Sequence, residues 1–328
     1  VFGKHLVVTS WRSFSIYDIS DPESPELITT VPFGFKFENE DVAVGRNMML
    51  FSEEAPGDAL HVWDIEDKSN PVEIATVEGA GDHTATCILG CRYSYGSDGS
   101  IVDLRVQAKA ELVGNWHRKL GINNRVHDVD EFRTGYIVVS AFDGPIMLVD
   151  VRKPLRPRLV VAAPPPELRS EAFAAGANVH NTRWPRGGRD RILMAQGGSN
   201  LSQAQCDEET RNFWTFDASR WERRGILKLA DEYNPGNGAP TDGRYPVTTC
   251  STHWFEAHPT FHDGGLVVLA YYDLGTRFLQ IASSGKIKEI GWFLPWAGVT
   301  SSTYWVTDEI VYAIDYSRGF DILRLERM

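Results

Sequence analysis

The amino-acid sequence predicts an all-β protein, a seven-bladed β-propeller with about four antiparallel strands per blade. The first observation is a repeat: residues 16–28, 62–74 and 148–160 match over thirteen positions, each as an apolar strand, a turn rich in Asp and Pro, and another apolar strand. The second is the period, because copies without long insertions lie about 40–50 residues apart. The third is that no part of the chain has a sustained helical period.

Seven copies of this segment follow one another along the chain. They lie at residues 16–28, 62–74, 101–113, 148–160, 216–227, 279–290 and 320–325. Two further strand candidates precede every segment after the first, so a complete unit has four strands. Residues 4–9 look like a second strand and the chain ends on a third, which predicts that the first and last blades are each one strand short. We expect residues 1–328 to form a single propeller domain.

The repeated core is similar to that of the LVIVD-repeat β-propeller family. In that family an apolar-apolar-Asp-apolar strand is followed by Asp-Pro and then by a Pro-led apolar strand. The resemblance extends over nearly the whole chain, is clear where Asp18, Asp64 and Asp150 align, and weakens in the two longest units. It implies the propeller fold but little about activity, because propellers host lyases, oxygenases, hydrolases and binding scaffolds.

The composition excludes some classes of partner. The chain has 42% hydrophobic and 11% aromatic residues, enough for a sizeable core, and a net charge of −11 without any basic run. Nucleic acid and anionic membranes are therefore not expected as partners. No apolar stretch approaches the length of about 18 residues that a membrane span needs. The sequence as given shows no signal peptide, so a cytoplasmic location and secretion after processing both stay open.

The four cysteines are too few for a disulfide scaffold. Cys87 and Cys91 lie four residues apart around a predicted hairpin, as buried or paired thiols or, alternatively, as copper or redox groups. Hydrolase and nucleotide-binding motifs such as Gly-x-Ser-x-Gly and the Walker sequence are absent from the sequence. The sequence therefore gives no support to triad hydrolysis or nucleotide chemistry.

Five candidate inner strands begin with a residue of a type that binds metals. These residues are Glu40, His83, His127, His180 and His258. If the chain repeats one unit, the five share one structural position at the mouth of the central channel. Four imidazoles suit a transition metal better than calcium or magnesium. The four histidines are thus predicted to bind one metal ion, with iron as the first choice and copper or zinc as alternatives. The structural alternative is that they only hydrogen-bond the neighbouring blade.

Two carboxylates are candidates for catalysis beside this site. Glu40 precedes the histidines in the same register, and Asp128 follows His127 directly. Either one could orient an imidazole or act as a general base, and the alternative for Glu40 is an ordinary channel carboxylate. His253 and His262 flank His258, and His262 falls in a His-Asp-Gly-Gly turn signature.

A substrate pocket is predicted from nearby aromatic and basic residues. The candidates for substrate binding are Arg183, Trp184, Trp254 and Tyr304. Apolar walls with a few polar groups are typical of small-molecule sites. The alternatives are aromatic packing between blades and, for Arg183, an ordinary salt bridge.

Three insertions enlarge the long units, at residues 163–177, 198–211 and 232–250. In a propeller such connections emerge on the face where inner strands begin. Long loops without regular structure commonly form lids or binding loops. We therefore expect these insertions to cover the channel mouth.

Three functions are compatible with this pattern, and an enzyme is favoured. The first is a metal-dependent oxidoreductase that acts on a small apolar or aromatic molecule. Its parallel, by analogy only, is the carotenoid-cleavage oxygenases, propellers that hold Fe(II) through four histidines. The second is a non-oxidative lyase or isomerase with Glu40 or Asp128 as base. The third is a non-catalytic propeller that binds another protein.

Overall fold

The computed structural model describes residues 1–35, 42–54, 57–142, 144–162, 179–197, 212–235 and 251–326. In this part of the chain the strands form seven mainly antiparallel sheets, five with four strands and two with three. The predicted seven-bladed β-propeller is confirmed. The backbone packs as two compact units, residues 1–139 with 148–160 and residues 140–147 with 161–328.

The first two sheets belong to the first unit. The first sheet contains β1 (His5–Ser10), β2 (Ser13–Asp18) and β3 (Glu26–Pro32). The second contains β4 (Ala43–Gly45), β5 (Met48–Glu53), β6 (Ala59–Asp64) and β7 (Val72–Glu78). Strands pair in sequence order. The first sheet is one strand short, as predicted.

The next two sheets carry the first helical segments. The third sheet contains β8 (Ala85–Ile88), β9 (Tyr93–Gly96), β10 (Ser100–Asp103) and β11 (Glu111–Asn115). A 3-10 turn (Gln107–Lys109) precedes β11, and helix α1 (Trp116–Leu120) follows it. The fourth sheet contains β12 (Val126–Arg133), β13 (Tyr136–Ala141), β14 (Met147–Asp150) and β15 (Arg158–Ala162). A disulfide joins Cys87 to Cys91 across the β8–β9 hairpin, so these two thiols are paired.

The last three sheets belong to the second unit. The fifth contains β16 (Val179–Arg183), β17 (Ile192–Gly197), β18 (Phe213–Arg220) and β19 (Ile226–Tyr233). Short helices α2 (Pro185–Gly188) and α3 (Trp221–Arg224) connect its strands. The sixth contains β20 (Phe255–Ala257), β21 (Gly265–Ala270), β22 (Thr276–Ile281) and β23 (Ile287–Phe293). The seventh contains β24 (Thr300–Trp305), β25 (Ile310–Asp315) and β26 (Gly319–Arg324), and is one strand short, as predicted. Across the described ranges, every helix is too short or too polar to cross a membrane.

The hydrophobic core lies between neighbouring sheets. One cluster joins Phe14 of the first sheet to Phe51 and Trp63 of the second, and another joins Met194 of the fifth to Phe255 of the sixth. Middle strands are covered on both faces, which explains why they read as nearly continuous apolar runs instead of alternating ones.

The aligned aspartates have a structural role at or near the end of the third strand in the first five units. The Asp18 carboxylate accepts the backbone N–H of Ser20 at 2.7 Å, and that of Asp64 accepts the N–H of Glu66 at 2.8 Å. The same bond recurs at Asp103, Asp150 and Asp217. Such Asp side chains stabilise the turn that leads to the outer strand. This turn is the physical origin of the repeat seen in the sequence.

Strand order places several strand ends together at one edge of the fifth sheet. By edge we mean here the side of a sheet at which its strands begin or end, and not its outermost strand. Val179 pairs with Gly197, and Phe213 pairs with Gln196 and Tyr233. The start of β16 therefore lies beside the end of β17, the start of β18 and the end of β19. This is the edge from which the predicted insertions leave.

The insertions themselves are only partly described. Residues 163–177 and 198–211 lie outside the described residues, as do residues 236–250 of the third insertion. The predicted start of the third is wrong, because β19 continues through residues 232 and 233 as the outer strand paired with β18.

We expect Asp150→Ala to lower the free energy of unfolding by about 1–2 kcal/mol in urea denaturation. The change removes the turn acceptor for the Arg152 N–H and the ion pairs with Arg152 and Arg158 at 2.6 and 3.2 Å. Asp150→Asn keeps an acceptor oxygen and should lose less. Asp64→Asn, which also keeps its turn acceptor, is the control and should be close to wild type. Equal losses for the Ala and Asn variants of Asp150 would contradict a role for the turn.

The same residue should produce a pH dependence. The hydrogen bond from Arg152 lowers the pKa of Asp150 to about 2. A lowered folded-state pKa stabilises the protein above the unfolded-state pKa of about 3.9, and this contribution is lost as the pH falls toward the folded-state value. The stability difference between wild type and Asp150→Asn should therefore shrink between about pH 4 and pH 2.

Candidate functional site

Histidines lie in two pairs near the starts of inner strands, one pair in each compact unit. The rings of His83 and His127 have their centroids 4.5 Å apart. The rings of His180 and His253 have theirs 4.6 Å apart. Three of these residues were predicted as ligands, whereas the sequence analysis gave His253 no role.

In the first unit, a carboxylate holds one ring of the pair. His83 precedes β8, and its Nδ1 forms a short hydrogen bond with the carboxylate of Glu54. His127 is buried in β12, where its carbonyl accepts a hydrogen bond from the Thr84 hydroxyl at 2.6 Å. A carboxylate on Nδ1–H leaves Nε2 with its lone pair, the arrangement common to metal-bound histidines. Glu54 was not recognised from the sequence.

In the second unit, both rings of the pair are buried. His180 lies in β16 at a register shift, with Nδ1 2.6 Å from the Gln196 amide nitrogen. The N–H of His253 donates to the Ala270 carbonyl at 2.9 Å, which extends the pairing of the sixth sheet beyond the start of β20. Its ring Nδ1 forms a short hydrogen bond with the Ser301 carbonyl. Because a carbonyl only accepts, Nδ1 carries the proton and Nε2 keeps its lone pair.

The predicted register is wrong for His258. Strand β20 ends at Ala257, so His258 lies at the end of its inner strand and not at the start. Its Nε2 donates to the Asp308 carbonyl at 3.2 Å, and its Nδ1 lies 2.7 Å from the Thr260 hydroxyl. The ring also packs edge-on against Trp305. These contacts give His258 a structural role. It was predicted as a metal ligand because the sequence pattern put it at the start of an inner strand, and that reason no longer applies.

The two carboxylates predicted for catalysis are placed differently. Glu40 lies outside the described residues. Asp128 is buried in β12 directly after His127. The catalytic role of each stays a prediction.

Three of the predicted substrate-binding residues lie together. The Arg183 guanidinium lies 4.3 Å from the centroid of the Trp254 ring, whose centroid is 6.4 Å from that of Tyr304. Glu256 belongs to the same group, and its carboxylate accepts the backbone N–H of Trp305 at 2.6 Å. Burial raises the pKa of Glu256, while this N–H and the charge of Arg183 oppose the shift. Glu256 was missed because nothing in its local sequence separates it from an ordinary strand residue.

Trp184 does not join this group of residues. Its indole N–H donates to the Asp190 carbonyl at 2.8 Å, and its ring packs against Trp221 at 5.4 Å. Trp184 is therefore a core residue of the fifth sheet.

Aromatic side chains extend from the second histidine pair to the surface. The ring of Tyr272 lies 4.5 Å from that of His253 and 6.2 Å from that of Tyr316, which is 59% exposed. Tyr272 lies in the β21–β22 turn and Tyr316 in the β25–β26 turn. We call Tyr272 and Tyr316 the aromatic wall. Strand order alone could have indicated it, because both turns lie at the edge where inner strands begin.

A different group of residues could hold a metal ion elsewhere in the second unit. The ligand atoms of Asp190, His262 and Asp263 all lie within 4.8 Å of one another. Within the described ranges this is the one group of three or more His, Cys, Asp or Glu residues with that geometry.

Comparisons with known proteins show the class of fold. No protein-family model and no curated protein sequence matches the chain. It is similar to the β-propeller domain of Cps50 (Swd1) from Myceliophteria thermophila, with a TM-score of 0.63 and 12% identity over 99% of this chain and 93% of that one. It is also similar to a chain in the crystal structure of a mitotic checkpoint complex, with a TM-score of 0.65 and 11% identity over 98% and 87%. Likeness at such identity shows the fold alone, and the LVIVD-repeat resemblance stays a prediction.

We expect His258→Ala to lower the free energy of unfolding by about 1–3 kcal/mol, because it removes a buried ring that packs on Trp305 and hydrogen-bonds Thr260 and Asp308. Urea denaturation in the presence of EDTA measures the loss. The control is His262→Ala, whose ring is 67% exposed and which should change stability by no more than about 0.5 kcal/mol. A His258→Ala protein as stable as wild type would contradict the structural role.

Proposed function

We propose that this propeller is a metal-dependent enzyme acting on a small apolar or aromatic molecule. In the proposal, buried histidines near the starts of inner strands supply ligands to a transition metal. The observation that carries it is the pair His180 and His253, two buried imidazoles with centroids 4.6 Å apart beside an aromatic wall.

The hydrogen bond of His253 favours metal binding over simple packing, and that of His180 can be adapted to it. The Ser301 carbonyl fixes the His253 tautomer in which Nε2 can bind a cation. At His180 the Gln196 amide N–H donates to Nδ1, which places the ring proton on Nε2. Turning that amide, so that its oxygen accepts from Nδ1–H, would leave the lone pair of His180 on Nε2. The pair His83 and His127 has the same character, with Glu54 in the place of the carbonyl.

The chemistry follows from the type of ligand. Imidazole suits iron, copper and zinc, and iron remains the first choice. Two imidazoles leave coordination positions for water or substrate, as catalytic sites require. A transition metal in such a site supplies Lewis acidity or redox chemistry.

The surroundings support a small, largely apolar substrate. The aromatic wall continues from His253 to the exposed ring of Tyr316. Arg183 and Glu256 add one positive and one acidic group farther along the inner strands. Apolar walls with few polar groups are the usual composition of ligand sites.

Two alternatives have an observation of their own. A non-oxidative lyase or isomerase is favoured by Glu256, because a buried carboxyl group with a raised pKa is a candidate for proton transfer. A non-catalytic interaction propeller is favoured by the exposed indoles of Trp11, Trp292 and Trp296, since exposed aromatic residues are enriched at protein interfaces.

Elemental analysis of protein purified without a His tag or chelating resin should find a transition metal. The double variant His180→Ala/His253→Ala should lose at least about 10-fold in affinity for that metal, the scale on which metal sites respond even to changes outside the ligands themselves. The matched control is His258→Ala, which removes a buried histidine of the same unit and should keep the wild-type metal content if it remains folded.

Three outcomes separate the functions. A stoichiometric redox-active metal that depends on His180 and His253 supports the oxidative enzyme. A redox-inert metal with the same dependence supports the lyase or isomerase. Metal-free protein that stays metal-free after incubation with Fe(II), Cu(II) and Zn(II) contradicts both and leaves the interaction propeller.

A further inference from the structure

We propose a second metal site in which Asp190, His262 and Asp263 bind a divalent ion of the zinc type. Asp190 precedes β17, whereas His262 and Asp263 lie in the turn between β20 and β21. Both segments lie at the edge where inner strands end, away from the pair His180 and His253. The inference is independent of the proposed enzyme function.

The Asp190 carboxylate is the buried member of this group. Its side chain is fully buried. Oδ1 accepts a hydrogen bond from Arg186 at 3.1 Å and another from the Asp263 N–H at 3.0 Å. Oδ2 has no hydrogen-bond partner among the residues that the structure describes. A buried carboxylate oxygen without a partner is costly, and a cation is the ligand that its charge favours.

The turn presents its two side chains toward this carboxylate. Asp263 has a left-handed backbone with φ 48°, and the His262 N–H donates to the Gly264 carbonyl at 2.9 Å, which closes the turn. Asp263 Oδ1 accepts the Arg191 N–H at 2.5 Å, and Oδ2 lies 3.9 Å from His262 Nδ1. The turn thus holds one carboxylate oxygen and one imidazole nitrogen close together, and the ligand atoms of all three residues lie within 4.8 Å of one another.

The charges leave room for a cation. Two carboxylates face the guanidinium of Arg186. The Arg191 guanidinium instead pairs with Asp217 at 2.7 Å and acts on Asp263 only through its charge. The side chains of His262 and Asp263 are 67% and 40% exposed, so an ion can enter from solvent. One imidazole and two carboxylates, with water in the fourth position, form a donor set that zinc accepts.

A bound ion would link two sheets of the second unit. Asp190 leads into the fifth sheet, and the His-Asp-Gly-Gly turn joins two strands of the sixth. At present the Asp263 N–H and the Arg191 N–H each donate across this junction. The expected effect of the ion is therefore on stability, because it binds the folded protein and not the unfolded chain.

The test uses Zn²⁺ alone as the probe, on EDTA-treated, tag-free protein. The background is His180→Ala/His253→Ala, which removes the other ligand pair of this unit. Calorimetric titration should give a Zn²⁺ site that the variants of Asp190 and His262 remove, separate from any ion that His83 and His127 bind. At 100-fold excess of Zn²⁺ over Kd, the Tm should rise by about 4 °C for a chain of this size. Mg²⁺ at the same concentration should give a smaller rise, because imidazole is a poor ligand for it.

The deciding variant is His262→Gln in that background. Because the His262 side chain is exposed, this substitution should leave the protein folded. Its affinity for Zn²⁺ should fall at least about 10-fold. Asp190→Asn should have the same effect, and His5→Gln, in the first sheet, should have none. Unchanged Zn²⁺ affinity in His262→Gln, or a Tm that does not respond to Zn²⁺ in the parent, would overturn the site. Either result leaves the proposal for His180 and His253 untouched, because those residues are absent from the background.

Discussion

The candidate site depends on the antiparallel order of strands within each sheet. When four strands follow one another as hairpins, the start of the first, the end of the second and the start of the third share an edge. This is why His180, Tyr272 and Tyr316, which are far apart in the sequence, lie on corresponding edges of three sheets. The other residues of the site, including His253 with its hydrogen bond to Ser301, lie at that same edge.

The fold could be predicted from the sequence because its most regular interaction is local. An Asp at the end of a third strand accepts an N–H two residues later, so the same residue types recur at the same spacing. The first three histidines were found for a related reason, since each lies near the start of an inner strand. His258 was misplaced because β20 has only three residues, with a histidine just beyond each end. A strand that short has no alternation from which its start could be recognised.

The partners of the histidines could not be predicted, because they come from distant parts of the chain. Glu54 reaches His83 from a different sheet. Ser301 reaches His253, which precedes β20, from β24 of the seventh sheet. Asp190 and Asp263 meet across 73 residues of sequence. Such contacts leave no period or motif in a single sequence. They follow from tertiary packing, which only the folded structure shows.

The hydroxyl bonds between inner strands have a consequence for how this protein can change. Thr84 and Thr86 donate to the backbone carbonyls of His127 and Val129, and so join β12 to its neighbour without using a side chain of β12. A carbonyl is present whatever residue occupies the position. The side chains at positions 127 and 129 can therefore be exchanged while these two bonds persist. Evolution or a protein engineer can thus alter the chemistry at position 127 separately from the architecture that supports it.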